Sequence, residues 1–337
     1  MSLRAKRSNL SSLAHDSRRT LLLLAMTLAV LLAAVPARAE YPDRSVRILE
    51  PFPPGGAVDI VTRLIAARLA DDLGRPFLVE SKPGAGGIIA TDAVAKAPHD
   101  GYTLLVTTPN HTINAALNPK LPYDTEKDLV PVAVIAEVPE LFVSNSAAPF
   151  TSFAEFVTYA RQHPGKLDYA SAGIGTLPHV SMELLLRRLD LKVTHIPYKG
   201  AAPAMADLLG GQVQLKMDTL ATSAPHIAAG KLRALAIASR ERSAQMPDLP
   251  TIAELGVPGY EGILWIGVMA PAGTPAAVVE KLAAACDRAV RAPELIERFR
   301  RDGIDPGGGT PASFGERIGR EIAQWRELIA AVKINAE

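Results

Sequence analysis

Short apolar runs alternate with amphipathic ones along most of the chain. The run at 46–49 has β character, and apolar positions recur at helical spacing over 60–73. The same alternation predicts strands at 77–80 and 102–107, with helices at 88–97 and, after a loop at 108–111, a short one up to 117. Two further apolar runs, 132–135 and 141–143, are separated by the polar stretch 137–140. A second series comes next, with strands predicted at 167–171, 193–197, 213–217 and 232–238. Helices fall between them at 153–161, 178–189, 203–209 and 223–229. A continuous apolar run, 262–270, precedes three helical patterns at 275–291, 293–301 and 311–332. Pro275 and Pro311 sit where helix first turns accept proline. Repeated β-α units predict an α/β protein whose mostly parallel sheet is covered on both faces. There are too many units for one small sheet, so two lobes are expected, each a doubly wound sheet with flanking helices. The first lobe takes residues 40–141 and 263–337 and the second takes 142–262, with hinge crossovers at 141–145 and 262–270.

Open α/β sheets bind ligands at the carboxyl ends of their strands. The stretch Pro51-Phe52-Pro53-Pro54-Gly55-Gly56-Ala57-Val58-Asp59 lies at such an end. Its prolines stiffen the approach, and its glycines let a backbone come close to another group. The first N–H groups of the following helix then face the gap, as in an anion site. By itself the stretch also suits a plain turn joining strand to helix. Comparable turns occur at Thr108-Pro109-Asn110, at 171–176, at Tyr198-Lys199-Gly200 and at Asp218-Thr219.

Composition sets the class and the address. The chain has 337 residues, 48% hydrophobic and 21% charged, which is globular and large enough for two lobes. Aromatics make up 5%, too few for a nucleic-acid stacking platform. Residues 1–39 read as a cleaved signal peptide: a basic start, an apolar run at 21–35, and a small-x-small site at Ala37-Arg38-Ala39. Ser17-Arg18-Arg19-Thr20 suits a twin-arginine signal, while the apolar run suits the general secretory route, so the route stays open. The segment carries six basic residues and one acid. Losing that net +5 takes the chain from +1 to −4, which is unsuited to nucleic acid. A single cysteine, Cys286, allows no intrachain disulfide and reads as a buried small side chain.

Enzyme signatures fail. Gly173-x-Gly175-x-x-Pro178 has proline where a dinucleotide fingerprint needs its third glycine. No G-x-S-x-G elbow or H-E-x-x-H helix occurs, so no cofactor or metal is implied.

Several motifs in order resemble one family: Pro51-Phe52-Pro53-Pro54-Gly55-Gly56-x-x-Asp59, Lys82-Pro83-Gly84-Ala85-Gly86-Gly87, Asp100-Gly101-Tyr102-Thr103-Leu104-Leu105, Ser171-Ala172-Gly173-x-Gly175-Thr176-x-x-His179 and Pro197-Tyr198-Lys199-Gly200. The chain resembles Bug-type extracytoplasmic solute receptors, the TctC-like receptors of tripartite tricarboxylate transporters. That resemblance implies a monomeric periplasmic binding protein, type II-like, which closes over a small organic carboxylate. It implies permease subunits as partners, with a membrane sensor kinase or an exported hydrolase as the competing readings. The carried-over ligand residues are Phe52, Pro54, Gly55, Gly56 and Ala57 from the first turn, and Gly173, Gly175, Thr176 and His179 from the second. Thr108, Asn110, Ser171, Tyr198 and Asp218 join them as candidates. Each has a competing role: Thr108 and Asn110 as turn formers, His179 as a brace of its turn, and Asp218 as a hydrogen-bond partner of the adjacent turn. Trp265 and Trp325 read as packing residues.

Overall fold

In a computed structural model, which describes residues 40–332, these patterns become alternating strands and helices. The proposed signal segment, 1–39, lies outside the described residues. The chain divides into two units, Met1–Asp43 and Arg44–Glu337, and every described strand and helix belongs to the second. Its elements, in chain order, are β1 (Val46–Glu50), α1 (Ala57–Leu73), β2 (Phe77–Ser81), a 3₁₀ turn (Ala85–Gly87), α2 (Ile88–Ala95), β3 (Thr103–Thr107), α3 (Asn110–Leu117), β4 (Leu129–Asn145), α4 (Phe153–Gln162), β5 (Asp168–Ser171) and α5 (Leu177–Arg188). Then come β6 (Thr194–Pro197), α6 (Ala201–Leu209), β7 (Leu215–Thr219), α7 (Leu220–Ala228), β8 (Leu232–Ile237), β9 (Ile263–Pro271), α8 (Ala276–Val290), α9 (Pro293–Asp302), β10 (Asp305–Pro306) and α10 (Pro311–Val332).

Among the described residues ten strands join in one sheet, with the path β2-β1-β3-β9-β4-β7-β5-β6 and with β8 and β10 also paired to β4. The outer parts are parallel, as expected: β1 with β2 and β3, and β5 with β6 and β7. The centre is not. β9 runs antiparallel to both β3 and β4, and β4 runs antiparallel to β7 and β8. The sheet is therefore mixed rather than mostly parallel. A period-2 pattern of side chains says which face is buried but not which way the strand runs.

A second difference concerns β4. The apolar runs 132–135 and 141–143 belong to a single 17-residue strand rather than two. Its polar middle is absorbed by a change of partner. Up to Pro139, paired with Ile263, the strand accompanies β9; from Glu140, paired with Thr219, it accompanies β7, and from Leu141 also β8. Proline donates no ladder bond, so Pro139 suits the switch. The register also shifts between Pro131 and Ala133 and between Val134 and Ala136.

Alternate residues of β4 feed different cores. Phe142 packs with Phe153, Phe156, Tyr169 and Met182, and its ring meets Phe156 edge to face with centroids 5.0 Å apart. Leu141 and Val143 face the opposite layer with Ala204, Leu208 and Leu232. In the other half, Leu49, Leu105, Val134, Trp265 and Met269 pack beneath Phe314, Ile318 and Ile322 of α10. Trp265 is buried there, with its indole N–H donating to Glu321 at 2.9 Å. Gly267 lets α10 come this close, because a Cβ on it would collide with the Phe314 ring. Cys286 is buried in α8. Among the described residues no helix is long and apolar enough to cross a membrane.

Candidate functional site

Four helices begin around one point because each comes directly after a strand that ends there. The starts of α1 (Ala57), α5 (Thr176 and Pro178), α6 (Ala201) and α7 (Thr219) line a small inner cavity of about 50 Å³. The first helical N–H groups have no partner in their own helix. In α1 the ladder opens with Ile60 N–H to Gly56 O at 3.1 Å, which leaves the N–H groups of Ala57, Val58 and Asp59 outside it. Aligned peptide dipoles add partial positive charge at each start. Asn110, Glu140, Lys216 and Asp218 complete the wall. Phe52 and Ala172 separate this cavity from an outer cleft of about 380 Å³, which is bounded by residues 84–88, Asn114, Leu117 and Asn118 on one side and by residues 172–175 and 197–199 on the other.

Both turns facing the cleft are braced by a side chain four residues on. Gly55, at φ 96°, donates its N–H to Asp59 Oδ2 at 3.0 Å, and Asp59 Oδ1 in turn accepts from Arg63 Nε at 2.6 Å. Gly175, at φ 74°, donates its N–H to His179 Nδ1 at 3.2 Å. Ser171 Oγ accepts the Gly173 N–H at 3.1 Å, and Thr176 Oγ1 donates to Gly173 O at 2.6 Å. The N–H groups of Gly55, Gly173 and Gly175 are thus committed inside their own turns. Those of Gly56 and Ala57 lie at the cavity wall.

Behind the second turn, His179 stacks on His195 at 4.2 Å between centroids, and His195 Nε2 lies 2.7 Å from Ser171 Oγ. Burial holds His179 down at about 4. Burial, then the neighbouring His179, holds His195 at about 3, so both rings are neutral at pH 7. His179 accepts through Nδ1, which puts its proton on Nε2. Replacing His179 with phenylalanine should leave the Gly175 N–H buried without an acceptor and cost about 1–3 kcal/mol. Urea unfolding measures this, and an unchanged midpoint would remove the bracing role.

Beneath the first turn, Glu50 is fully buried and accepts from Ser81 Oγ at 2.6 Å. Burial first, and then the charge of Asp59, raise it to about 7. Asn110 ties the two sides of the cleft together. Its Oδ1 accepts the Leu177 N–H at 3.0 Å, and its Nδ2 donates to Gly86 O at 3.3 Å. Thr108 is fully buried and its Oγ1 accepts the Asn110 N–H at 3.4 Å, a turn-forming contact. Tyr198 lines the outer cleft and donates its hydroxyl to Asp207 Oδ2 at 2.7 Å; burial, then that bond, push it up to about 12. Phe52 stands between the two spaces, whereas Pro54, Gly55, Thr108, Ser171 and His179 lie outside both linings.

Sequence reasoning missed Lys216 and Glu140. Lys216 is 0% exposed and pairs with Asp218, which also accepts from Thr222 Oγ1 at 2.7 Å and Ser223 Oγ at 2.6 Å through Oδ2. The available signal was a lysine inside the strand predicted at 213–217.

Glycines let the two sides touch. A Cβ on Gly86 would lie 2.8 Å from Ile174 O, one on Gly175 would lie 2.9 Å from Asn114 Oδ1, and one on Gly200 would lie 2.6 Å from Pro53 Cδ. Among the described residues no group of three or more His, Cys, Asp or Glu is placed to hold a metal ion.

The family model described as "Tripartite tricarboxylate transporter family receptor" (TctC) matches residues 61–334. A solved structure of R. palustris Rpa4515 with adipate is 39% identical, with a TM-score of 0.85, over 88% of this chain and 99% of that one. The periplasmic binding protein BugD is 34% identical, with a TM-score of 0.84, over 88% and 99% of the two chains. MatC (Rpa3494) from Rhodopseudomonas palustris with bound malate is 36% identical, with a TM-score of 0.82, over 86% and 100%.

Proposed function

Because the chain belongs to the tripartite tricarboxylate transporter receptor family, we propose that it is an exported receptor that captures a small organic carboxylate and delivers it to the membrane subunits of such a transporter. The observation that carries this reading is the convergence of four helix N-termini on one cavity beside a larger cleft. Such a site neutralises a carboxylate with partial charges and backbone donors, so no free side-chain charge has to be buried for the purpose. Adipate and malate in the similar structures belong to the same ligand class. Export is read from residues 1–39, with cleavage before Glu40. The two lobes are taken as 40–141 with 263–337, and 142–262. The change of partner along β4 at Pro139 and Glu140 supports that division. Closure is a hinge motion driven by the ligand's preference for the closed form.

A receptor fits the groups present better than a hydrolase does. Ser171 and His195, 2.7 Å apart, make a pair that invites a nucleophile reading. However, Ser171 is fully buried and braces the turn, and His195 sits too low to act as a base near pH 7. The test is native mass spectrometry of the protein purified from the periplasm, then a thermal-shift panel of mono-, di- and tricarboxylates and their methyl esters. A fitting carboxylate at a hundredfold excess over its Kd should stabilise by about 2.7 kcal/mol, with no response to the esters. Silence across the acids, or turnover of the esters, overturns the proposal.

A further inference from the structure

We infer that the ligand is a monocarboxylate with an apolar body, and that the outer cleft turns away a second carboxylate. The inference rests on the reading of the four helix starts as the seat of a carboxylate, and says what the rest of the ligand is. The inner cavity, at about 50 Å³, is on the scale of a few waters or one carboxylate. The rest of the ligand therefore occupies the outer cleft, which at about 380 Å³ lies in the usual range for a small-molecule pocket.

Both sides of that cleft present apolar side chains. Pro51, Phe52, Ile88 and Leu117 line one side, and Ile174 and Tyr198 line the other. Ile174 is 37% exposed, one of three large apolar side chains left so open among the described residues. A hydrocarbon body laid over these surfaces gains by leaving water. No acid stands among the lining residues, and their cation is Lys199, which is exposed. An exposed ammonium adds little to a charge set beside it.

A second carboxylate buried here would need donors, because an unpaired charge is costly away from water. The donors in the lining are largely spent. Tyr198 gives its hydroxyl to Asp207 Oδ2 at 2.7 Å, and Asn114 gives Nδ2 to Gly86 O at 3.0 Å. Asn114 Oδ1, 2.9 Å from the Cβ position of Gly175, can only accept. The backbone N–H groups of Gly87 and Ile88 go to Gly84 O and Ala85 O, and that of Tyr198 goes to Ser171 O. Those of Gly173 and Gly175 go to Ser171 Oγ and His179 Nδ1. The charges that act on the Tyr198 phenol are negative: burial first, and then Asp207 and Asp168, push it up. This wall accepts hydrocarbon and disfavours a carboxylate.

Hexanoate and adipate share a six-carbon chain and differ by one carboxylate, so calorimetric titration of the mature protein with each is the test. Hexanoate should bind the wild type at least about tenfold more tightly than adipate. Ile174→Arg, at an exposed position, sets a guanidinium in the cleft and should move the ratio about tenfold or more towards adipate. A cooperative melt shows that this variant has folded. Lys199→Met should leave the ratio within about twofold of wild type. Adipate binding the wild type as tightly as hexanoate overturns the inference whatever the variants do. So does any di- or tricarboxylate that binds more tightly than every monocarboxylate of the thermal-shift panel. A tenfold or greater loss of adipate binding in Lys199→Met, with hexanoate held as before, also overturns it, because the rim lysine would then be holding a second carboxylate. An unmoved ratio in folded Ile174→Arg does the same, since the ligand body would not lie against Ile174. If no carboxylate of any kind binds the wild type, the receptor reading itself has failed, and this inference falls with it.

Discussion

Gly200→Val is expected to abolish high-affinity capture while the protein still folds. Gly200 has φ 137°, a region that side chains with a Cβ avoid, and its Cβ position lies 2.6 Å from Cδ of Pro53 on the opposite side of the cleft. A proline ring cannot swing away as a long side chain would. The clash is therefore relieved by keeping the two sides apart, and the closed form becomes costly. Overpacking of this kind costs about 1–3 kcal/mol. All of it falls on the closed, ligand-holding form, so affinity should drop about 10- to 100-fold. Gly175→Val should cost less affinity, since its Cβ would stand 2.9 Å from Asn114 Oδ1, the end of a side chain that can turn aside. Gly211→Val separates backbone strain from wedging: Gly211 has φ 73° but no atom within 4 Å of its Cβ position. It should lose stability and keep its affinity. Titration calorimetry with a carboxylate that stabilises the wild type in the thermal-shift panel reads all three, and wild-type affinity in Gly200→Val would show that the sides need not meet.

Asp218→Ala is expected to give the largest loss of stability, about 3–5 kcal/mol, because it leaves a buried ammonium without its partner. Lys216 is 0% exposed and Asp218 4%, so water cannot stand in for the missing carboxylate without opening the structure. Thr222 and Ser223 lose their common acceptor in the same step. Removing the charge as well, in Lys216→Met with Asp218→Ala, should recover much of the loss, since a buried ion pair is worth little against apolar groups of the same shape. Denaturant unfolding of the set is the measurement. A loss below about 1 kcal/mol in Asp218→Ala would mean that Lys216 is neutralised elsewhere.

Elements whose cause is local were legible in the chain. The helices at Pro275 and Pro311 begin within a residue of where proline places them, and α1, expected from 60, starts three residues earlier, directly after Gly56. The continuous apolar run before Pro271 is β9. What failed was decided at a distance. Glu137 to Glu140 looked like a break, yet β4 runs through because Glu140 has Ser181 to meet and Pro139 has a change of partner to occupy. Asn110 was legible as a polar turn residue, but its bond to the Leu177 N–H depends on how the two sides approach. The bracing of Gly55 by Asp59 and of Gly175 by His179 was visible as a four-residue spacing, though the spacing alone does not say that those N–H groups are already taken. Lys216 was passed over because a lysine in a strand normally faces water; only the fold closes α1 and α5 over it.

One strand has a consequence for how the molecule comes apart. β4 is bonded to β9 along its first part and to β7 and β8 along its second, so both halves of the sheet hang on one backbone. Melting either half strips partners from that strand and weakens the other, which makes the protein a single cooperative unit despite its cleft. Free energy gained when a ligand draws the sides together is therefore not confined to the loops that touch it. It slows the opening of amides throughout the sheet, including those of β2 and β6 at its far edges.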